Sequence, residues 1–515
     1  MTSPAIVRRA WFLAFAGSLF VTYAVFFTGD LVSGDNLAQF YQTTQIADRH
    51  RLTFTTADVA AILRASDWGL NTRFGVNRDQ VTYTQVHGIG QPLMTLPLFV
   101  TLRLARQANG GGQPSDQTLW AINWLFYAVI CVALVALACR LAGLPRQWST
   151  LIVLSAAFAS PIWMYSTLPF NVVGEVMVTL VAMVLCLWFD APTNAGRAAR
   201  PAAAAALAAV LAFSVTIRPF MASALPAFVF WFAISEWRST DDPRTMRRVV
   251  GAFAGVIILC GAIVAGFNTY YFGSPLSSAY HDLAAQMNFG SYWIEGFSGT
   301  FFSPLRSPLY YFPLVALLPV CVAVLIWKND RVGWFAILFL LPQVYLMPKY
   351  SLWRGGPDLF ARFWYRIVPV ALLLLIATVP HLRARRIARE SLLVATMILT
   401  ALGFRAQAFS VMTDERTIYE RVAAEVNATG AADRDLDFHQ STLALIAGAT
   451  PVAALQRSSL GTPRRFLFLR QWPIPTERLW IAILGIFAAA CCLWRWASSE
   501  ALDDASSTIP RRDMK

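Results

Sequence analysis

Twelve apolar runs of about 15 to 23 residues recur along this chain and constrain its fold more than any other feature. About 20 apolar residues in a helix cross a bilayer, and shorter runs suffice in a tight bundle. Apolar residues make up 57% of the 515 and charged residues only 14%, a balance that no water-soluble domain of this size needs. The sequence therefore predicts an all-α polytopic membrane protein with about twelve transmembrane helices. The predicted spans are residues 11–28, 119–140, 148–165, 172–189, 202–216, 220–234, 249–271, 308–327, 332–347, 364–379, 391–409 and 479–496.

Short basic clusters between these runs orient the chain in the membrane. The net charge of +13 is divided among these clusters rather than gathered on one face, so we expect no nucleic-acid partner. Residues 86–104 are also apolar, but a crossing there would place the later clusters outside, so we expect a helix lying on the outer face. The chain is then a multi-pass protein of the cell (inner) membrane. The clusters facing the cytoplasm are Arg8/Arg9, Arg140/Arg146, Arg197/Arg200, Arg244/Arg247/Arg248, Lys328/Arg331, Arg383/Arg385/Arg386/Arg389 and Arg511/Arg512.

This orientation leaves four segments on the periplasmic or extracellular side: residues 29–117, 272–307, 348–363 and 410–478. The first is the longest and contains helix-like patches at residues 35–47 and 56–65, so it is too structured in pattern for a linker. We predict a membrane domain over residues 1–409, a small polar outer region over 410–478, and a last helix with a cytoplasmic tail over 479–515.

The polar residues that could carry chemistry lie on the outer side, because the centres of the predicted spans contain no Asp, Glu, Lys or Arg. An ion-coupled transporter would usually keep ionisable groups near the midplane of the bilayer. All seven cysteines fall inside apolar segments, which indicates neither a disulfide framework nor a thiolate metal site. This placement favours an enzyme that acts on a membrane-anchored substrate at the outer face.

Several motifs on the outer side resemble those of one family. The motifs are Gly-Asp-Leu-Val-Ser-Gly-Asp at residues 29–35, Tyr-Thr-Gln-Val-His-Gly-Ile-Gly-Gln-Pro-Leu-Met-Thr-Leu-Pro at 83–97, Asn-Thr-Tyr-Tyr-Phe-Gly-Ser-Pro-Leu at 268–276, Gly-Thr-Phe-Phe-Ser-Pro-Leu-Arg-Ser-Pro at 299–308, and Trp-Arg-Gly-Gly-Pro-Asp-Leu-Phe-Ala-Arg at 353–362. In content and order they resemble GT-C superfamily glycosyltransferases, bacterial members of the mannosyltransferase-like or aminoarabinose-transferase-like kind. The resemblance covers about residues 10–410.

The resemblance implies a lipid-linked donor, a sugar on polyprenyl phosphate, and a glycan, lipid or protein acceptor at the outer face. It also implies a catalytic carboxylate in the first loop, which by position is Asp35. A carboxylate in reach of the acceptor hydroxyl can remove its proton as the hydroxyl attacks the anomeric carbon. Asp35 could instead cap a helix beginning at Asn36, and both roles could coexist.

The leaving group of such a transfer is a lipid phosphate, which arginine forks or a divalent cation must stabilise. The family's second acid falls where this chain has no Asp-x-Asp, so a Mg²⁺ or Mn²⁺ requirement stays open and no cofactor is assigned. Three of the candidates also have an interpretation without a role in the site. Asp30 could be an interfacial charge, Glu175 could be a polar residue just inside a span, and His281 has no second ligand at metal spacing. The candidate substrate-binding residues are Asp30, Glu175, Arg218, His281, Arg306, Arg354 and Arg362.

We therefore predict a hexosyl- or pentosyltransferase of the cell envelope, with three alternatives. A transporter or flippase of a lipid or glycan is disfavoured because the centres of the predicted spans contain no ionisable residues. An O-antigen ligase or polymerase would more typically carry its large outer loop later in the chain. The third alternative is a family member without activity.

Overall fold

A computed structural model of the chain describes residues 4–27, 29, 34–65, 74–85, 88–170, 172–190, 199–239, 242–277, 292–302, 307–349, 364–412 and 475–506. Two 3₁₀ segments, Pro219–Ala224 and Pro313–Leu317, lead into α11 and α15. The elements are α1 (Pro4–Val25), α2 (Gly34–Arg49), β1 (Phe54–Thr55), α3 (Thr56–Ala65), β2 (Phe74–Val76), β3 (Thr82–Gln85), α4 (Gly90–Ala108), α5 (Asp116–Ala121), α6 (Asn123–Leu141), α7 (Arg146–Phe158), α8 (Pro161–Thr167), α9 (Val172–Asp190), α10 (Arg200–Ile217), α11 (Leu225–Ser239), α12 (Pro243–Phe272), α13 (Trp293–Phe302), α14 (Pro308–Tyr311), α15 (Leu318–Trp327), α16 (Arg331–Lys349), α17 (Ile367–His381), α18 (Arg386–Met412) and α19 (Pro475–Ser506).

Nine helical segments in the described part of the chain are long and apolar enough to cross a membrane, and three shorter apolar helices accompany them. The shorter ones are residues Arg9–Val25, Pro313–Trp327 and Ile367–His381. Each of the twelve predicted spans coincides with one of these segments, so the multi-pass helical class is confirmed and the count of twelve crossings stays a prediction. The predicted polar region at 410–478 lies almost entirely outside the described residues.

Helix α17 forms the centre of the bundle. Almost all of its side chains are buried, and it packs against α6, α7, α9, α15 and α16. A helix that is apolar all round loses nothing by being enclosed on every side. By contrast, α12 packs chiefly on α10 and exposes most of its apolar surface, as suits a helix that faces lipid. The first and last described helices, α1 and α19, pack along each other.

Several helices begin at a capping side chain followed by proline. Ser160 accepts a hydrogen bond from the amide of Ile162 at the start of α8, and Asp242 accepts from Arg244 and Thr245 at the start of α12. Proline at the first helical position lacks only an amide hydrogen that would have no partner within the helix. These residues set where the membrane helices start, and hence which residues meet at each end of the bundle.

The first loop folds into helices α2, α3 and α4 around a small antiparallel sheet with strand order β1-β3-β2. The predicted helices at residues 35–47, 56–65 and 86–104 correspond to α2, α3 and α4. The sheet was not predicted, because strands of two to four residues give too little alternation to be recognised in the sequence.

Ion pairs close one end of the bundle, beside the arginine-rich connections. Arg331 lies 2.9 Å from Asp190, and His381 lies 2.7 Å from Asp330. Asp190 also accepts hydrogen bonds from Trp231 and Ser235. The other end, where α9 begins and α10 ends, carries the first loop and a second group of charges.

Candidate anion site at the first-loop end of the bundle

A buried ionic cluster joins five polar side chains at this second end. Arg218 Nη1 donates to Glu175 Oε2 over 2.9 Å, and Arg366 Nε donates to Glu175 Oε1. Arg366 Nη1 donates to Gln343 Oε1 over 2.9 Å, and the Gln343 amide donates in turn to the Ser223 hydroxyl. The cluster ties together the start of α9, the end of α10, the 3₁₀ segment before α11, the last turns of α16 and the residue before α17.

Among the described residues, the cluster holds one carboxylate and two guanidinium groups. The side chains of Glu175 and Arg366 are only 1% and 2% exposed, and Arg218 is also buried. Burying a charge is costly unless it is paired, so Arg366, which shares the Glu175 carboxylate with Arg218, favours a further acceptor. Arg366 Nη2 has no hydrogen-bond partner among the described residues, so one arm of a guanidinium remains open for an acceptor.

Glycines bring the first loop into contact with the cluster. A Cβ added at Gly88 would lie 1.8 Å from the Thr216 carbonyl oxygen, and one at Gly90 would lie 2.6 Å from the Ile217 nitrogen. Residues 216 and 217 directly precede Arg218, so only glycine lets the backbone before α4 approach this closely. The first loop is therefore seated on the residues that position one of the two arginines.

A third glycine places a buried amide beside the cluster. The Cβ position of Gly174 lies 2.7 Å from Gln91 Oε1 and 2.3 Å from the terminal carbon of Met94. Gln91 is completely buried, and neither its Oε1 nor its Nε2 has a hydrogen-bond partner among the described residues. The side chain next to Glu175 thus offers both a donor and an acceptor.

Asp35 lies in the first turn of α2, which begins at Gly34 rather than Asn36, and its side chain is partly buried. An acid in the first turn interacts favourably with the helix dipole.

Helix α2 packs along α4. The hydroxyl oxygens of Thr43 and Thr95 are 3.2 Å apart, and Asp48 pairs with Arg103. The contact partners increase in residue number along both helices, so α2 and α4 run in the same direction. The first turns of the two helices, which carry Asp35 and Gln91, therefore lie at the same end of the helix pair.

The structure brings two of the eight predicted site residues into one cluster, Glu175 and Arg218. Asp30, His281, Arg306, Arg354 and Arg362 lie outside the described residues. No group of three His, Cys, Asp or Glu side chains that could hold a metal occurs within the described ranges.

Arg366, Gln343 and Gln91 were not among the predicted site residues. Arg366 falls at the edge of a predicted apolar span and Gln343 falls inside one, and such isolated polar residues are the signal that could have identified them. Gln91 belongs to the 83–97 motif, but nothing in its spacing indicates that it lies beside Glu175.

No protein-family model matches this chain, and no curated protein matches it. Its fold is similar to that of solved membrane proteins, among them ArnT from Cupriavidus metallidurans bound to undecaprenyl phosphate. That likeness has a TM-score of 0.45 and 12% sequence identity, and covers 96% of this chain and 79% of that one.

Two oligosaccharyltransferase structures from Archaeoglobus fulgidus are also similar. AglB in complex with an inhibitory peptide and a dolichol-phosphate has a TM-score of 0.44 and 11% identity, over 83% of this chain and 59% of that chain. The complex with Zn and sulfate has a TM-score of 0.44 and 12% identity, over 79% and 56%. The chain spans less than two thirds of these two proteins, and the likeness is one of fold.

Proposed function

We propose that this protein is a glycosyltransferase that takes a sugar from a polyprenyl-phosphate donor and transfers it to an acceptor at the outer face of the membrane. In this proposal the chain crosses the inner cell membrane twelve times, and both the first loop and the Glu175 cluster face the periplasmic or extracellular side. The sugar is a hexose or pentose, and the acceptor is a glycan, lipid or protein.

The observation that carries the proposal is the buried guanidinium of Arg366, whose Nη2 has no hydrogen-bond partner among the described residues. The phosphate of a polyprenyl carrier is an anion at the membrane surface, and arginine binds phosphate through paired, charge-assisted hydrogen bonds. The open Nη2 of Arg366 can supply one such bond. The apolar surroundings exclude water, which strengthens the attraction as the bond between sugar and phosphate breaks.

Asp35 is proposed as the general base. As the acceptor hydroxyl attacks the anomeric carbon, the Asp35 carboxylate takes its proton and the phosphate leaves with the electron pair of the glycosidic bond. The packing of α2 on α4, and of the α4 start on α10, supports this role because it directs the Asp35 end of the first loop toward the arginines. A Mg²⁺ or Mn²⁺ ion remains an alternative partner for the leaving phosphate.

The experiment is binding of undecaprenyl phosphate to the purified full-length protein, with undecaprenol as the uncharged control ligand. We expect the phosphate to bind at least ten times more tightly than the alcohol, and Arg366→Gln to remove most of that difference. Arg331→Gln is the matched control, because Arg331 pairs with Asp190 at the opposite end of the bundle.

Equal affinity for undecaprenyl phosphate and undecaprenol would contradict an anion site at the cluster. An equal loss of phosphate affinity in Arg366→Gln and Arg331→Gln would contradict it as well. Transfer of labelled sugar from the lipid to a glycan acceptor then tests the reaction itself. Phosphate binding without transfer to any acceptor, but with movement of the lipid across vesicle membranes, would favour the flippase alternative.

A further inference from the structure

A cleft lies in the first loop, and none of its lining residues belongs to the arginine cluster. It is a cleft of about 300 Å³ between the C-terminal half of α2 and helix α3, and Tyr41, Gln45, Asp48, Arg49 and Asp58 are among its lining residues. This volume is at the lower end of the range for small-molecule sites. The cleft therefore has room for a small polar ligand.

An ion pair fixes the two walls of the cleft relative to each other. Arg49 on α2 lies 2.9 Å from Asp58 on α3, and the Asp58 carboxylate also accepts from the amide and hydroxyl of Thr55 at 2.9 and 2.8 Å. Partial burial alone would raise the pKa of the Asp58 carboxyl, but the bonds from Thr55 and Arg49 outweigh burial and hold that pKa below its ordinary value. The walls are thus formed before any ligand arrives.

One lining side chain lacks a partner. Gln45 is 8% exposed, and its Oε1 accepts no hydrogen bond from any described residue. Tyr41, one turn earlier on the same helix, is half-buried and contributes an aromatic ring and a hydroxyl. A buried amide oxygen without a partner among the described residues, beside a ring with an apolar body and a polar tip, suits a ligand that has both hydroxyls and apolar C–H surface.

The charges around the cleft are balanced. Asp58 is paired with Arg49, and Asp48 with Arg103 from α4. The described residues that line the cleft therefore carry no surplus charge for a phosphate or a cation. A neutral ligand with many hydroxyls fits this combination, and carbohydrate is the class that supplies it.

The cleft is too far from Asp35 to hold the sugar that is transferred. Asp35 and Asp48 are thirteen residues apart on one helix, and at 1.5 Å per residue this is about 20 Å. We propose that the cleft between α2 and α3 binds a remote sugar residue of an oligosaccharide acceptor. The role of this glycan as an acceptor rests on the proposed transferase function, but its binding in the cleft does not.

The experiment measures binding of a panel of fluorescently labelled neutral tetra- to hexasaccharides to the purified full-length protein, without lipid donor. We expect at least one to bind, and Tyr41→Ala to weaken its binding at least tenfold. Tyr270→Ala is the matched control, because Tyr270 lies at the end of α12 and is 75% exposed outside the cleft. Gln45→Leu, which keeps the volume but removes the amide acceptor, should also weaken binding.

Failure of every oligosaccharide to bind, or equal binding by wild type and Tyr41→Ala, would overturn the proposal. Undecaprenyl phosphate binding is measured on the same samples, and Tyr41→Ala should leave it unchanged, which also shows that the variant is folded. Glycan binding without phosphate binding would support the glycan site in the cleft and contradict the proposed transferase function. Phosphate binding without glycan binding would contradict the glycan site and leave the proposed transferase function standing.

Discussion

Glu175 and Arg366 are 191 residues apart in the chain, yet their side chains form a buried ion pair at the first-loop end of the bundle. Arg218 binds the other oxygen of the same carboxylate at 2.9 Å. A single acid thus holds two cations in place at the meeting point of several membrane helices. Glu175 is therefore best explained as the residue that positions the arginines, and its replacement separates stability from anion binding.

Glu175→Gln should lower stability while increasing the response to an anionic ligand. The amide keeps the shape but removes the carboxylate that both arginines contact, and uncompensated charge in a buried pair costs about 3–5 kcal/mol. A phosphate can then replace part of the lost negative charge. We expect a lower melting temperature without ligand, and a larger upward shift with undecaprenyl phosphate than the wild type shows.

Glu236→Gln is the control, because Glu236 is equally buried and pairs with Arg200 at 3.0 Å near the opposite end. It should lose stability without gaining ligand response. An unchanged melting temperature in Glu175→Gln would show that the cluster does not need its carboxylate.

Asp35→Asn should leave the protein folded and slow sugar transfer by about 100-fold or more, as removal of a general base does. Asparagine keeps the size of the side chain at the start of α2 and loses the proton acceptor and a modest interaction with the helix dipole. The measurement is transfer of labelled sugar by matched amounts of purified protein.

Asp79→Asn is the control for Asp35, since Asp79 bonds the amides of Val81 and Thr82 in an exposed turn of the same loop. Its transfer rate should equal that of the wild type. An Asp35→Asn enzyme with full activity would remove Asp35 as the base and make Asp30 the next candidate.

Gly88→Ala should disrupt the seating of the first loop more than any other single methyl group added there. Its Cβ would meet the backbone oxygen of Thr216 at 1.8 Å, and backbone cannot give way as a side-chain end can. Gly174→Ala should be milder, because its Cβ meets the flexible ends of Gln91 and Met94. We expect both the affinity for undecaprenyl phosphate and the melting temperature to fall more in Gly88→Ala than in Gly174→Ala.

Gly112→Ala provides the baseline for these glycines, because nothing lies within 4 Å of its Cβ position. It should behave as the wild type. If Gly88→Ala did the same, the first loop would not need its close contact with the end of α10.

Cysteine labelling tests the proposed topology. A cysteine at Gly112, an exposed position in the first loop, should react with an impermeant maleimide in intact cells, and one at exposed Ala384 should react only after permeabilisation. The native cysteines set the background, which a parental strain measures. Labelling of Ala384→Cys in intact cells would place the arginine cluster on the cytoplasmic side and contradict the proposed donor site.

The amino-acid sequence by itself determined the membrane class and the positions of the helices. Apolar runs such as 172–189 and 249–271 leave no alternative to α9 and α12, because each peptide group within a bilayer must be hydrogen-bonded inside its own segment. The amphipathic patches of the first loop were predictable for a similar reason, since their periodicity is local.

Only the tertiary structure decided which polar residues act together. Glu175 and Arg218 could be nominated from their positions at span ends, but their joint contact with Arg366, and the approach of Gln91 to Gly174, depend on how α4, α9, α10 and α17 pack. Periodicity along one helix carries no information about which distant helix end it meets. The ionic cluster exists because long-range packing brings together charges that lie far apart in the chain, and no local pattern records that meeting.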